Sequence, residues 1–510
     1  MNNKKKAFIN VGFAVMTRGI ILVVMILARR LLIKYLGMEI AGVYSLLISI
    51  VGVLSVAESG IGTAIVFSMY KSINDKNENE VIGLYNLFKK AYLIIAVVIF
   101  TIGLLITPFL PKIVGIQNFK SEIYISYVVL LLSTVVTYFY AAKTSLFIAH
   151  RDDYITSVIY AFGQIIQGLI QIMCLVFFKS FTLFVLAIGV GNIVQLLISN
   201  YIFNSKYENF SNNHGMISAD IKHEVKRNVL SMFAHKIGGV LVSTSNNIII
   251  SILISVTVLA NYTNYTTVLN AVLSLILVLF TSITSVVGHV YVSNNKEQFL
   301  KVFKRIYIIN YIIAFVFFMG YFAIIDDLVT ILFSSGASLS NSVILTLSIS
   351  SFIQFMRQTT LLTRDATGTF YYDRFKPILE GIVNIILTVI LIIHFGIIGV
   401  IIALIVTNLL ITHVIEPFVL YKYAFKMKPT SYYVKNYLLM LYFIIMIVAF
   451  NLIVGDFSSN LFLNIFYKGT ISVIFSSVSI LFLSLISIEF RKILFEIIKE
   501  VLSFLKFKKK

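Results

Sequence analysis

The chain has no tryptophan, one cysteine and five prolines in 510 residues. A single cysteine excludes a disulfide scaffold and a cysteine-built zinc site, and so little proline excludes a collagen-like chain. Charge is scarce as well. Only 12% of residues are charged, against roughly 25% in an average globular chain. The charge that exists is lopsided, with 41 Lys and Arg against 22 Asp and Glu. What fills the sequence instead is apolar: 59% of residues are hydrophobic and the mean hydropathy is +0.95. Disorder needs low hydrophobicity, and a soluble core cannot absorb this much apolar sequence without large exposed patches. The length would suit about three soluble domains, but the composition overrules that expectation. The chain reads as a multi-spanning membrane protein.

Apolar runs of about 20 residues span a bilayer as helices, because lipid forces the backbone to bond to itself. Fourteen such runs are predicted: 8–36, 40–69, 83–107, 122–149, 154–178, 181–204, 228–253, 256–292, 302–325, 341–363, 375–394, 397–421, 431–454 and 466–488. Lys4, Lys5 and Lys6 place the N-terminus in the cytosol, and an even helix count returns the C-terminus there. Under that orientation cytosolic ends and loops hold 30 of the 41 basic residues, outer loops five and helix interiors six. The acids divide as 14, five and three. The outer side is therefore neutral and the basic surplus cytosolic, as expected for contact with anionic membrane lipid and not with nucleic acid. The first run carries Arg18, Arg29 and Arg30 and lacks a small-residue cleavage site, so it reads as a retained helix and not a signal peptide. Cys174, in an apolar stretch, reads as a small packed hydrophobe.

Internal similarity sets the expected architecture. At an offset of 218, Asn10, Arg18 and Tyr44 fall on Asn228, Lys236 and Tyr262, and Gly42-Val-Tyr-Ser falls on Ala260-Asn-Tyr-Thr. At 213, Arg151-Asp152 falls on Arg364-Asp365, Gln167-Gly168 on Glu380-Gly381, and Gln171 on Asn384. These matches predict an all-α membrane fold of two six-helix lobes. The N-terminal lobe is residues 1–205, a cytosolic linker is 206–227, and the C-terminal lobe is 228–424. Residues 425–510 add helices 13 and 14 and a basic cytosolic tail. Repeats with an even helix count keep one orientation, so substrate is expected between the lobes near the midplane.

Several stretches resemble a known family. Arg29-Arg30-Leu-Leu-Ile-Lys-Tyr-Leu-Gly-Met-Glu-Ile-Ala-Gly-Val-Tyr-Ser-Leu, and Ala57-Glu58-Ser-Gly-Ile-Gly-Thr-Ala-Ile running on to Met69-Tyr70-Lys71, resemble the first hairpin of Wzx-like oligosaccharide flippases. These are bacterial transporters of the multidrug/oligosaccharidyl-lipid/polysaccharide (MOP) exporter superfamily. The resemblance extends more loosely over the whole chain, to a twelfth helix ending Glu416-Pro417. It implies translocation of an undecaprenyl-diphosphate-linked oligosaccharide from the inner to the outer leaflet of the bacterial cytoplasmic membrane. It also implies, as possible partners, a polysaccharide polymerase and export machinery. Multidrug exporters and lipid II flippases are similar in fold, so the superfamily leaves the substrate open.

Ionisable groups inside a membrane are costly and functional by default. Arg18 and Arg29 are eleven residues apart, about 20° from eclipsed and roughly 16 Å along one helix face. Arg29 and Arg30 are either outer-interface anchors or substrate contacts. Folding the first hairpin about Met38 sets Arg18 level with Glu58, and the same construction about Gly368 sets Arg357 level with Glu380. Lys236 meets only Ser274 and Leu275 in its own hairpin and is the repeat mate of Arg18. Lys143 meets no acid either, but lies near enough to a helix end to snorkel. Arg18, Lys236, Arg29, Arg30, Lys143 and Arg357 are thus candidates to line a cationic cavity for a diphosphate. Glu58, Glu380 and Glu416 are candidates for ion pairs or for a coupling H+ or Na+, with Lys422 and Lys435 within reach of Glu416. Organic-cation export would call for the opposite sign of charge.

Nothing in the sequence points to catalysis. The seven histidines form no HExxH motif or ligand cluster, and no Gly-rich phosphate loop occurs, so no cofactor is expected. An integral-membrane polymerase or transferase on the same lipid-linked sugars would need a sizeable outer loop, whereas every outer connection here is short. The expectation is a flippase working by alternating access.

Overall fold

The first helix, α1 (Asn3–Leu54), is interrupted at Gly37, whose φ of 88° and ψ of 169° leave helical space. A side chain rarely adopts that backbone, so glycine sets the first hairpin. In the computed structural model the described residues are 3–55, 61–116, 121–150, 152–207, 210, 215–293 and 295–507, with the side chains of 3–16, 226–237 and 501–507 among those outside the description. The remaining helices are α2 (Ile61–Asn74), α3 (Glu78–Ile106), α4 (Leu110–Val114), α5 (Ser121–Ala149), α6 (Asp153–Met173), α7 (Phe181–Lys206), α8 (Ala219–Leu253) and α9 (Val256–Val292). They are followed by α10 (Lys296–Leu332), α11 (Asn341–Met356), α12 (Gln358–Thr367), α13 (Lys376–Phe395), α14 (Ile397–Thr407), α15 (His413–Leu420), α16 (Thr430–Ile453), α17 (Leu461–Ile486) and α18 (Ile488–Phe507). No strand occurs among the described residues. The predicted runs fall on helices wherever their residues are described, which leaves out 56–60 of the run 40–69, and nine helices among the described residues are long and apolar enough to cross a membrane.

Two compact units are present. One comprises residues 1–264, 332–337 and 374–393; the other comprises 265–331, 338–373 and 394–510. In the first unit α5 packs against α3 and α7, and α6 against α7 and α1. Small residues allow close helix approach: a Cβ on Gly191 of α7 would lie 2.9 Å from the Gly163 carbonyl of α6. Tight backbone packing of this kind replaces the hydrophobic drive that lipid cannot supply. The core is aromatic where α3, α5 and α7 meet, with Tyr85 stacked on Phe203 at 5.2 Å. Outward-facing Leu93, Ile94, Val97 and Leu105 on α3 are exposed, as a lipid-facing surface must be.

The second unit is built on α10, α11 and α14–α18. Phe303, Phe315, Phe318, Phe352 and Phe443 are fully buried, and Phe352 stacks on Phe443 at 3.7 Å. Polar side chains point inward from the same helices. Tyr307 donates to Asn436 Oδ1 at 2.8 Å, Asn436 Nδ2 meets His413 Nδ1 at 3.3 Å, and His413 Nε2 lies 2.8 Å from the Ile353 carbonyl. With Nδ1 accepting and Nε2–H donating, neutral imidazole satisfies this chain completely.

Candidate functional site

Arg29 makes four hydrogen bonds within the first unit. Its Nε donates to Asn264 Oδ1 at 2.6 Å and its Nη1 to Ser45 Oγ at 3.3 Å. Its Nη2 reaches Thr263 Oγ1 at 2.7 Å and the Ala260 carbonyl at 3.3 Å. Arg29 and Ser45 lie eight residues either side of Gly37, so the hairpin geometry brings them level. The rigid guanidinium fork then carries the hairpin across to the start of α9. Ser45 and Thr263, the residues matched at the 218 offset, are themselves hydrogen-bonded at 3.1 Å. Gly42 completes the join, since a Cβ there would sit 1.9 Å from the Val256 carbonyl. Arg29 therefore braces protein against protein. Arg30 is exposed one residue on.

Arg18 is exposed on the same helix, and Tyr160 of α6 lies within reach of its charge. Its proposed partner Glu58 lies outside the described residues. The backbone of Lys236 is helical within α8, and its side chain lies outside the described residues. Lys143 of α5 donates to Asn200 Oδ1 of α7 and sits 4.9 Å above the Phe203 ring. It is held by an amide and a ring face, not by a carboxylate.

The acids find partners that the hairpin construction did not anticipate. Glu380 receives Lys376 Nζ, one turn earlier in α13, at 2.7 Å, with both side chains buried. Glu416 takes a two-pronged contact from Arg357, Nη2 to Oε1 at 2.6 Å and Nε to Oε2 at 3.3 Å. Its side chain is 1% exposed and that of Arg357 15%. Arg364 Nη1 lies 3.8 Å from Glu416 and 2.9 Å from Asp373, and its Nη2 lies 3.3 Å from Asp365. Burial alone would lower the Arg364 pKa, but Glu416, Asp373 and Asp365 outweigh it and hold it above the ordinary arginine range. Lys435 turns to Glu489. Two further constellations went unread in the sequence. Lys468 bridges Asp327 at 2.9 Å and Asp456 at 2.5 Å. Asn384 of α13 is fully buried with neither amide atom bonded, one turn from Thr388, which bonds Asn246 of α8 at 3.2 Å. Reflection about a turn sees only helices adjacent in sequence, whereas Arg357–Glu416, Lys435–Glu489, Lys468–Asp327 and Thr388–Asn246 join distant segments.

No family model matches the sequence, and no curated protein matches it. Solved structures do. The inward-facing conformation of a multidrug resistance MATE family transporter of the MOP superfamily superposes with a TM-score of 0.63 at 16% identity, covering 86% of this chain and all of that one. The lipid II flippase MurJ, in an inward closed conformation, gives 0.63 at 16% identity over 94% of this chain and all of that one. This chain has the MOP fold. A MOP superfamily transporter from Pyrococcus furiosus, for which reversed polarity of the binding pocket suggests a different function, gives 0.53 at 15% identity over 87% of this chain and 96% of that one. At these identities the likeness concerns architecture alone.

Proposed function

We propose that this protein is a flippase that moves an undecaprenyl-diphosphate-linked oligosaccharide, such as an O-antigen or capsule repeat unit, from the inner to the outer leaflet of the bacterial cytoplasmic membrane. It does so by alternating access, with both termini in the cytosol and without covalent chemistry. What carries the reading is the sign of the charge the sequence places inside the membrane, Arg18, Arg29, Arg30, Lys143, Lys236 and Arg357 against Glu58, Glu380 and Glu416, on a fold shared with transporters. A diphosphate crossing a low-dielectric core needs such donors in place of water. The two lobes, 1–205 and 228–424, are repeats, and the Ser45–Thr263 bond between matched residues supports that relationship. Arg18 and its repeat mate Lys236 form the cationic passage. Arg30 and Lys143 guide the headgroup, while Arg29 and Arg357 serve mainly as braces. Glu380 and Glu416 hold cations in place, and Glu58 pairs with Arg18 or takes a coupling H+ or Na+.

The test is complementation of a strain lacking its own flippase, with surface polysaccharide as readout and protein level measured alongside. Wild type should restore export, Lys236→Arg should keep part of it, and Lys236→Ala should lose tenfold or more, as expected for a charge-assisted phosphate contact of about 1.5–3 kcal/mol. Normal export by the alanine variant would remove Lys236 from the passage. The equal likeness to a MATE transporter and to MurJ supports a second reading, multidrug or lipid II export. Raised drug resistance, or rescue of a lipid II flippase mutant, without restored polysaccharide would favour it.

A further inference from the structure

The chain does not end at its last span. After α17 it turns at Ser487 into α18, which lies against the ends of α10 and α16 that the charge distribution assigns to the cytosol. Phe490 and Leu494, one turn apart, are buried against the protein, with Phe490 edge-on to Tyr311 at 6.0 Å. At about 100° per residue, Glu489 and Glu500 share one flank. There Glu489 bonds Lys304 at 2.9 Å and also Lys435, while Glu500 bonds Arg305. Phe495 and Ile498 occupy the opposite flank and are exposed, as are Arg491, Lys492 and Lys499. Exposed apolar side chains with basic ones among and beside them suit a helix lying in the membrane interface.

Beneath α18 is a cavity of about 340 Å³, walled by Phe303, Tyr307, Tyr421, Tyr432, Leu483 and Phe490. Its lining includes Lys304, Lys435 and Glu489. Two ammonium groups share one carboxylate there, and both lysines are nearly half exposed, while Glu496 and Glu500 on the same flank of α18 face Arg305. The volume falls in the range of small-ligand sites, about 300–1,000 Å³. An apolar slot opening past two half-exposed lysines at the interface matches one amphiphile chemistry. We propose that the cavity under α18 binds an anionic phospholipid of the cytosolic leaflet, one acyl chain entering the aromatic slot and the phosphate resting on Lys304 and Lys435. The site depends on membrane embedding and not on the identity of the cargo.

The experiment uses the purified full-length protein in detergent, with phosphatidylglycerol or phosphatidylcholine of identical chains added, and reads bound lipid by native mass spectrometry and thermal stability. Phosphatidylglycerol should bind more tightly and raise the melting temperature further. Lys304→Gln with Lys435→Gln should weaken phosphatidylglycerol roughly tenfold, as loss of a charge-assisted phosphate contact does, and leave phosphatidylcholine unchanged. Leu438→Trp, at a wall position that is itself exposed and tolerant of bulk, should weaken both lipids. Equal response to the two lipids, undiminished phosphatidylglycerol binding by the double variant, or equal stabilisation by inorganic phosphate alone would each overturn the proposal.

Discussion

Glu416→Gln is the sharpest perturbation the structure offers. The carboxylate is 1% exposed, accepts both prongs of Arg357 and lies 3.8 Å from Arg364. The amide has nearly the same volume, so packing is preserved and only charge is lost. Arg364 retains Asp373 at 2.9 Å, and the loss therefore falls on Arg357. Removing one partner of a buried pair typically costs about 3–5 kcal/mol, because the remaining charge stays desolvated. Folded proteins are stable by only about 5–15 kcal/mol in total. The variant should therefore melt well below wild type in detergent and accumulate poorly in membranes. Adding Arg357→Gln should recover part of the loss, since two neutral amides can bond each other, with a coupling of about 0.5–3 kcal/mol. A single variant as stable as wild type, or a double variant whose loss equals the sum of the singles, would refute the argument.

Arg29→Lys should destabilise by about 2–3 kcal/mol despite conserving charge, because an ammonium cannot reproduce the four contacts of the fork; the melting temperature checks this, with Ser45→Ala as a milder comparison. Gly42→Ala should cut membrane abundance several-fold, since its Cβ would meet the Val256 carbonyl at 1.9 Å and a cost of only about 1–2 kcal/mol suffices for that. Burial raises the Glu489 pKa, but Lys435 and Lys304 outweigh it and hold the carboxyl below its ordinary 4.5. A depressed folded pKa contributes stability that is present above about 4.5 and lost as pH falls through the lower value. A spin label at Lys499→Cys, in a Cys174→Ser background, should thus become mobile on acidification, and in Glu489→Gln it should be mobile at neutral pH already. Unchanged mobility in both would sever Glu489 from the docking of α18.

Hydropathy alone determined that the chain is all-α and membrane-embedded, and where its helices run, because lipid leaves the backbone no other way to satisfy its hydrogen bonds. The first turn was legible too: folding the hairpin about Met38 put it next to Gly37, which supplies the backbone that the turn needs. The intramembrane cations could be named from sequence for the same reason: a charge stands out where everything around it is apolar. Their partners could not. Arg357 finds Glu416 at a separation of 59 residues, Arg29 finds Asn264 at 235, and Lys468 finds Asp327 at 141. Each contact depends on which non-adjacent helices pack together and how each is rotated about its axis. Periodicity specifies which residues share a helix face, but that face can meet any of several neighbours. Only the tertiary packing decided which of these charges are braced by protein, because desolvation makes each cation take the nearest acceptor that packing presents.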